Sequence, residues 1–212
     1  MGLRITLLTL FCATIISCRQ AEKSNEIMKD ALDVYLSSDL AEDFKVEKSL
    51  ELTNRALEID DQNISALTHK TTLLFRKKDI EGLLQTVDDL IKLRPDKSSY
   101  LLQKALYLDL KGNNSDANEY YERALSKCRQ NFKTDSTDFN LLLEYVGLLE
   151  ITGDTTSGGE VLTRMERLNL DSSQKEILSA YRTQVYKRQS LSMDKLRKYW
   201  AGEIGYEQVE EK

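Results

Sequence analysis

"SYLLQKALYLDLKGN" (99–113), followed by "SDANEYYERALSKC" (115–128), decides the fold. In the first stretch apolar side chains fall at Leu101, Ala105 and Leu108, and in the second at Ala117, Tyr121 and Ala124. Steps of three and four residues put each set on one face of a helix, and Gly112-Asn113 breaks the chain between them. The two helices are expected to pair, each covering the apolar stripe of the other.

The same pattern recurs along the chain. "SLELTNRALEID" (49–60), "IEGLLQTVDDLIKLRP" (80–95) and "GGEVLTRMERLNLD" (158–171) read as further second helices. They follow "EIMKDALDVYL" (26–36), "SALTHKTTLLF" (65–75) and "FNLLLEYVGLLEITGD" (139–154), each with its own apolar stripe. Ala56, Leu90, Ala124 and Met165 occupy equivalent late positions, separated by 34, 34 and 41 residues. No stretch alternates as a half-buried strand would. With one proline and nine glycines in 212 residues, the composition is that of an all-helical chain.

A 34-residue helical pair with small residues at fixed places resembles the tetratricopeptide repeat family. The hairpin starting at Ser98 is the best copy, with Leu101, Ala105, Leu108, Gly112, Ala117, Tyr121 and Ala124 in place. The hairpin from Ile64 ends in the family's proline, Pro95, but has Thr71 and Leu83 where small residues are usual. The hairpin from Phe139 has Gly153 and Gly158, and the first hairpin departs most, with six extra residues between Ala31 and Ala56. The resemblance implies an all-α, right-handed helical-hairpin (tetratricopeptide-like) solenoid, with "SSQKEILSAYRTQVYKRQ" (172–189) as its C-terminal capping helix. A short helix is expected over Asp194 to Trp200 and a frayed tail in "GYEQVEEK". Asp79, Asn114 and Asp171 are placed to cap the helices that follow them, and Ser157 with Glu160 has capping-box spacing.

The opening residues have a different character. Arg4 supplies one positive charge, and Ile5 to Ser17 form an uncharged, mostly apolar run, too short for the roughly 20 residues of a spanning helix. Export followed by cleavage fits this run. Ile15-Ile16-Ser17-Cys18 also resembles the lipobox of bacterial lipoproteins, which implies cleavage before Cys18 and acylation of that cysteine. An ordinary cleaved signal that happens to contain cysteines is the other reading. The expected layout is a signal peptide over 1–17, a tether over 18–24, a repeat domain with its cap over 25–191, and a short helix with an acidic tail over 192–212. If Cys12 leaves with the signal and Cys18 is acylated, Cys128 is the lone free thiol and no internal disulfide can form.

Removal of 1–17 leaves 29 basic against 35 acidic side chains, interspersed along the chain. Nucleic acid is therefore not the expected partner. His69 is the sole histidine and is expected on the surface; histidine pairs, CxxC spacing, GxSxG and glycine-rich phosphate loops do not occur. Asp60-Asp61, Asp88-Asp89 and Glu210-Glu211 fall in turns, on an exposed face and in the tail. No catalytic residue, cofactor or metal is expected.

The resemblance implies a ligand groove lined by first helices. Carried over position by position, it gives Met28, Leu32, Tyr35, Thr68, Thr72, Phe75, Leu102, Leu106, Asp109, Leu143 and Glu150. This set is apolar with acidic positions and suits an amphipathic helix or extended segment of another protein. If the register is off by one residue, these leucines are core instead. Tyr107, Tyr120, Tyr199 and Trp200 either anchor a partner or pack between helices. The expectation is a lipid-anchored, protein-binding scaffold of the bacterial envelope. Arg19 is not the aspartate that retains some lipoproteins at the inner membrane, so the outer membrane, facing the periplasm, is expected. A fixed subunit of an outer-membrane assembly or pilus machine is the alternative, and an enzyme or small-ligand receptor using the groove is a third.

Overall fold

The computed structural model describes the backbone of residues 2–134, 137–188, 191–203 and 205, and the side chains among these of 18–132, 137–185, 188, 191–203 and 205. Among the described residues there are ten helices and no strand. They fall into two compact units, Met1–Leu93 and Arg94–Lys212.

The N-terminal unit contains α1 (Gly2–Leu36), α2 (Glu42–Ile59), α3 (Ile64–Arg76) and α4 (Ile80–Leu93), each packed on the next. Ala31, Ala56 and Ala66 are fully buried beside Met28, and Ile27, Leu52 and Leu57 pack against that cluster. Alanines at the crossings let α1, α2 and α3 approach closely. Leu83, Val87 and Leu90 of α4 are fully buried, each contributing about 1.5–3 kcal/mol of apolar burial.

Residues 18–24, expected as a tether, are helical, and only Ser24 at their end is packed into the unit. They continue α1, as "RQAEK" is composed of good helix formers, and Ser24 is fully buried. Its Oγ donates to the carbonyl of Ala56 at 2.9 Å and accepts from Asn63 Nδ2 at 2.8 Å. Asn63 in turn caps α3, its Oδ1 accepting from the Ala66 N–H at 3.0 Å. A buried polar knot thus fastens α1 to the turn between α2 and α3.

The C-terminal unit contains α5 (Ser98–Leu110), α6 (Asn114–Thr134), α7 (Phe139–Ile151), α8 (Thr155–Met165), α9 (Ser172–Arg188) and α10 (Met193–Trp200). Ala105, Ala117, Tyr121 and Ala124 are at most 1% exposed, so the hairpin that sets the repeat register is a packed pair. Continuation of α6 to Thr134, with α7 beginning at Phe139, accounts for the longer 41-residue spacing. Cys128 is buried near the Leu141 carbonyl. Burial, then the charge of Glu144, pushes its thiol up to about 12, so it is structural and unreactive.

The repeat is also written in the backbone hydrogen bonds. The N–H groups of Asp79, Asn113 and Asp154 donate to the carbonyls of Leu74, Leu108 and Leu149 at 3.0, 2.9 and 2.8 Å. The residue before each donor is left-handed: Lys78 at φ 56°, Gly112 at 81° and Gly153 at 90°. This is the αL helix stop, and the residue after it starts the next helix. Asp79, Asn113 and Asp154 accept from the N–H groups of Gly82, Asp116 and Ser157. Asn113, not Asn114, therefore caps α6, and Ser157 lies inside α8 behind the true cap, Asp154. Asp171 caps α9 as expected, in a reciprocal pair with Gln174 at 2.8 and 3.1 Å. Residues 206–212, most of the frayed tail expected from the sequence, lie outside the described residues.

Candidate functional site

In the N-terminal unit the first helices of the two hairpins, α1 and α3, present an open face. Leu32 is 41% exposed and Phe75 40%, and Thr68 and Thr72 are also exposed. Tyr35, one turn beyond Leu32, is half-buried; its ring meets His69 edge-on at 5.2 Å, and the Arg76 guanidinium lies 5.6 Å from its centroid. Met28 does not belong to this face. At 4% exposure it is part of the alanine core between α1, α2 and α3 and cannot reach a ligand.

His69 is not a surface residue either. It is 9% exposed, with Nε2 2.8 Å from Ser49 Oγ. Because the Ser49 hydroxyl hydrogen is donated to the Ala31 carbonyl at 2.8 Å, Oγ is left to accept and Nε2 carries the proton. Burial holds the imidazole below its ordinary value, so it is a neutral structural donor joining α1, α2 and α3. Leu36 (75% exposed) and Phe44 (53%) add apolar surface at the turn between α1 and α2. Position-by-position transfer missed them; apolar residues inside the turn "LSSDLAEDF" (36–44) were the available signal.

The corresponding face of the C-terminal unit is closed by the chain itself. Leu102 and Leu143 are half-buried, Leu106 is buried, and Glu150 is 3% exposed. Glu150 accepts from Arg188 at both oxygens, Nε–Oε1 2.8 Å and Nη2–Oε2 3.1 Å, in a bidentate pair. The guanidinium of Arg188 lies 5.5, 5.3 and 5.4 Å from the rings of Tyr181, Tyr199 and Trp200. Burial, then the Glu150 charge, raises the Tyr181 phenol well above its ordinary value. Glu150 therefore receives its counter-ion from α9, and Leu106 and Glu150 are corrected from groove-lining to interior residues.

Asp109 is the second acid of this face. It accepts from the Tyr121 hydroxyl at 2.6 Å, and Arg197 of α10 approaches it to 3.9 Å. Arg197 also lies 4.8 Å from the Tyr121 ring centroid. Trp200 reaches α7 at Gly147, where a Cβ would stand 3.2 Å from its ring. Of the four aromatics singled out, Tyr199 and Trp200 thus pack inside the unit. Tyr120 is flanked by Lys104 at 4.6 Å and Arg123 at 4.5 Å, and Tyr107 is half-buried. Sequence reasoning missed Arg188, Arg197 and Gly147. A glycine in mid-helix within "EYVGLLE" marks a close approach and was the signal for the last.

Among the described residues no group of three His, Cys, Asp or Glu side chains could hold a metal ion. No described helix is long and apolar enough to cross a membrane.

The fold is that of tetratricopeptide-like helical hairpins. No protein-family model and no curated protein matches the sequence. Among solved structures, the crystal structure of TTC0263, a thermophilic TPR protein of Thermus thermophilus, superposes with a TM-score of 0.53 at 15% identity, covering 85% of this chain and 90% of that one. At that identity the likeness concerns the fold alone. A MamA RS-1 ArsTM double mutant overlaps with TM-score 0.43 at 12% identity, covering 68% of this chain and 73% of its own. MamA 41-end from Desulfovibrio magneticus RS-1 gives 0.42 at 13% identity, covering 72% and 98%.

Proposed function

We propose that this chain is a non-catalytic, protein-binding scaffold held at a bacterial envelope membrane, most simply the outer membrane on its periplasmic side, through a lipid on Cys18. The observation that carries the binding reading is the open α1–α3 face. Leu32 and Phe75 are large apolar side chains left 41% and 40% exposed beside Tyr35 and Thr72. An apolar strip about two helices wide suits an amphipathic helix or an extended segment of a partner protein.

The anchor reading is supported by the sequence Ile15-Ile16-Ser17-Cys18 and by the exposure of Cys18. Multiple acyl chains, at about 0.8 kcal/mol per buried methylene, give firm attachment. Because α1 is helical from Cys18 to the buried Ser24, the lipid would sit only about 9 Å along the helix from the packed unit, at 1.5 Å per residue. The binding face would then work close to the bilayer surface.

Feeding cells an alkyne-tagged palmitate and fractionating their envelopes tests the anchor. The native chain should be labelled and membrane-bound, and Cys18→Ser should be unlabelled and released. Label retained in Cys18→Ser would rule out that attachment. The binding face is tested by crosslinking at Thr72, described below.

A further inference from the structure

In the C-terminal unit the expected binding face is occupied by α10. This helix lies across α5 and α7, the first helices of their hairpins, burying Leu196 to 3% exposure. Arg197 points to Asp109 and the Tyr121 ring, and Trp200 fills the space left by Gly147. Gly147 stands at the ninth place of its repeat, where Thr72 and Leu106 stand in theirs. The space left by the side chain missing from α7 is thus filled by Trp200 of α10 together with the Tyr181 hydroxyl of α9.

Two properties mark α10 as a portable piece. It is capped by its own residues: Ser192 Oγ accepts from the Lys195 N–H at 3.4 Å, and Glu203 N–H donates to the Lys198 carbonyl at 2.9 Å across left-handed Gly202. Its fit to the face is also incomplete. Among the described residues, Arg197 Nε and Trp200 Nε1 of α10 and Tyr181 Oη beside it are buried without a hydrogen-bond partner. Buried polar atoms of this kind weaken a seat that better-matched groups would strengthen.

We propose that α10 is an exchangeable occupant of the α5–α7 face, keeping the place of a partner protein's amphipathic helix that carries an arginine followed three residues later by an aromatic residue. The acid at Asp109, the Tyr121 ring and the Gly147 notch select that partner: the arginine meets the first two and the aromatic ring fills the third. Basic and aromatic character is set by the face itself, because Asp109 and the Gly147 notch receive Arg197 and Trp200 of α10. The inference goes beyond the scaffold reading and needs neither the α1–α3 face nor Cys18, so either can fail without the other.

The test uses the full chain and a fluorescein-labelled peptide SMDKLRKYWAGE, the sequence of residues 192–203. Leu196→Asp places a charge in the buried seat and should release α10. By fluorescence anisotropy the peptide is expected to bind Leu196→Asp at least tenfold tighter than the native chain, and to lose at least fivefold when Asp109→Asn is added. Equal affinity for both chains, or no binding to a Leu196→Asp chain with native circular dichroism, overturns the proposal. Should Leu196→Asp fail to fold, hydrogen exchange on the native chain decides. Amides of α10 should exchange at least a hundredfold faster than those of α7, and matched rates would make α10 fixed core and overturn the proposal. A native dimer that Leu196→Asp dissolves, read by light scattering, would assign the face to a second copy and also overturn it.

Discussion

Arg188→Met is the sharpest perturbation available, because it strands a buried carboxylate. Arg188 and Glu150 have side-chain exposures of 1% and 3%, and both guanidinium–carboxylate bonds are within 3.1 Å. Breaking a buried pair by removing one partner costs about 3–5 kcal/mol, because the remaining charge keeps its desolvation penalty. Met fills much of the arginine stem's volume, so the change isolates the charge and its stacking on Tyr181, Tyr199 and Trp200. A loss of about 4 kcal/mol is a large part of the 5–15 kcal/mol typical of a domain. Trp200, the single tryptophan, lies against this pair and reports urea unfolding of the C-terminal unit. With a urea slope of about 2 kcal/mol per molar, the midpoint should fall by about 2 M. Adding Glu150→Leu should restore most of it, since two apolar groups in place of a buried pair are often tolerated. A midpoint within about 0.3 M of native for Arg188→Met alone would refute the view that this pair is desolvated and holds α9 to α7.

Three further outcomes are expected. The folded pKa of His69 is depressed below 6.5 by burial, so the unfolded state binds the extra proton first; its stabilising contribution is complete above about 6.5 and is lost as pH falls through the folded value. Thermal midpoints from pH 7.5 to 5 should therefore fall less steeply for His69→Asn than for the native chain, and equal slopes would count against a buried neutral imidazole. Ser24→Ala removes two hydrogen bonds from the polar knot and should destabilise the N-terminal unit by about 1–3 kcal/mol in urea titration, whereas an unpacked tether would show no change. Lys78 holds φ 56° where the two other left-handed hairpin turns have glycine, so Lys78→Gly should raise stability by about 0.5–1 kcal/mol in thermal melts. A loss there would mean that the Lys78 side chain contributes more than its backbone conformation costs.

The repeat was legible because it rests on residues that must be small or apolar. Ala56, Leu90, Ala124 and Met165, aligned by spacing alone, are all 0% exposed. Helix stops were legible at Gly112 and Gly153, where glycine marks the left-handed turn, and hidden at Lys78, where a lysine adopts it. The groove was only partly legible. Leu32, Thr72 and Phe75 are exposed on the α1–α3 face, whereas transfer by position could not foresee that Leu106 is buried or that α9 and α10 reach Glu150 and Asp109. Contacts between residues as distant as Glu150 and Arg188 leave no local trace, and a charged residue such as Glu150 gives no sign of burial until its counter-ion is placed. His69 was misjudged for the same reason: its partners Ser49 and Tyr35 sit on two other helices.

Site-specific photocrosslinking in cells shows whether the α1–α3 face binds another protein at the envelope. A benzophenone amino acid replaces exposed Thr72 on that face or, as a control, exposed Arg55 on α2. A discrete higher-mass product is expected from position 72 that is weak or missing from position 55 and disappears when Phe75→Glu is added. Equal crosslinking from both positions, or a product at 72 indifferent to Phe75→Glu, would contradict it.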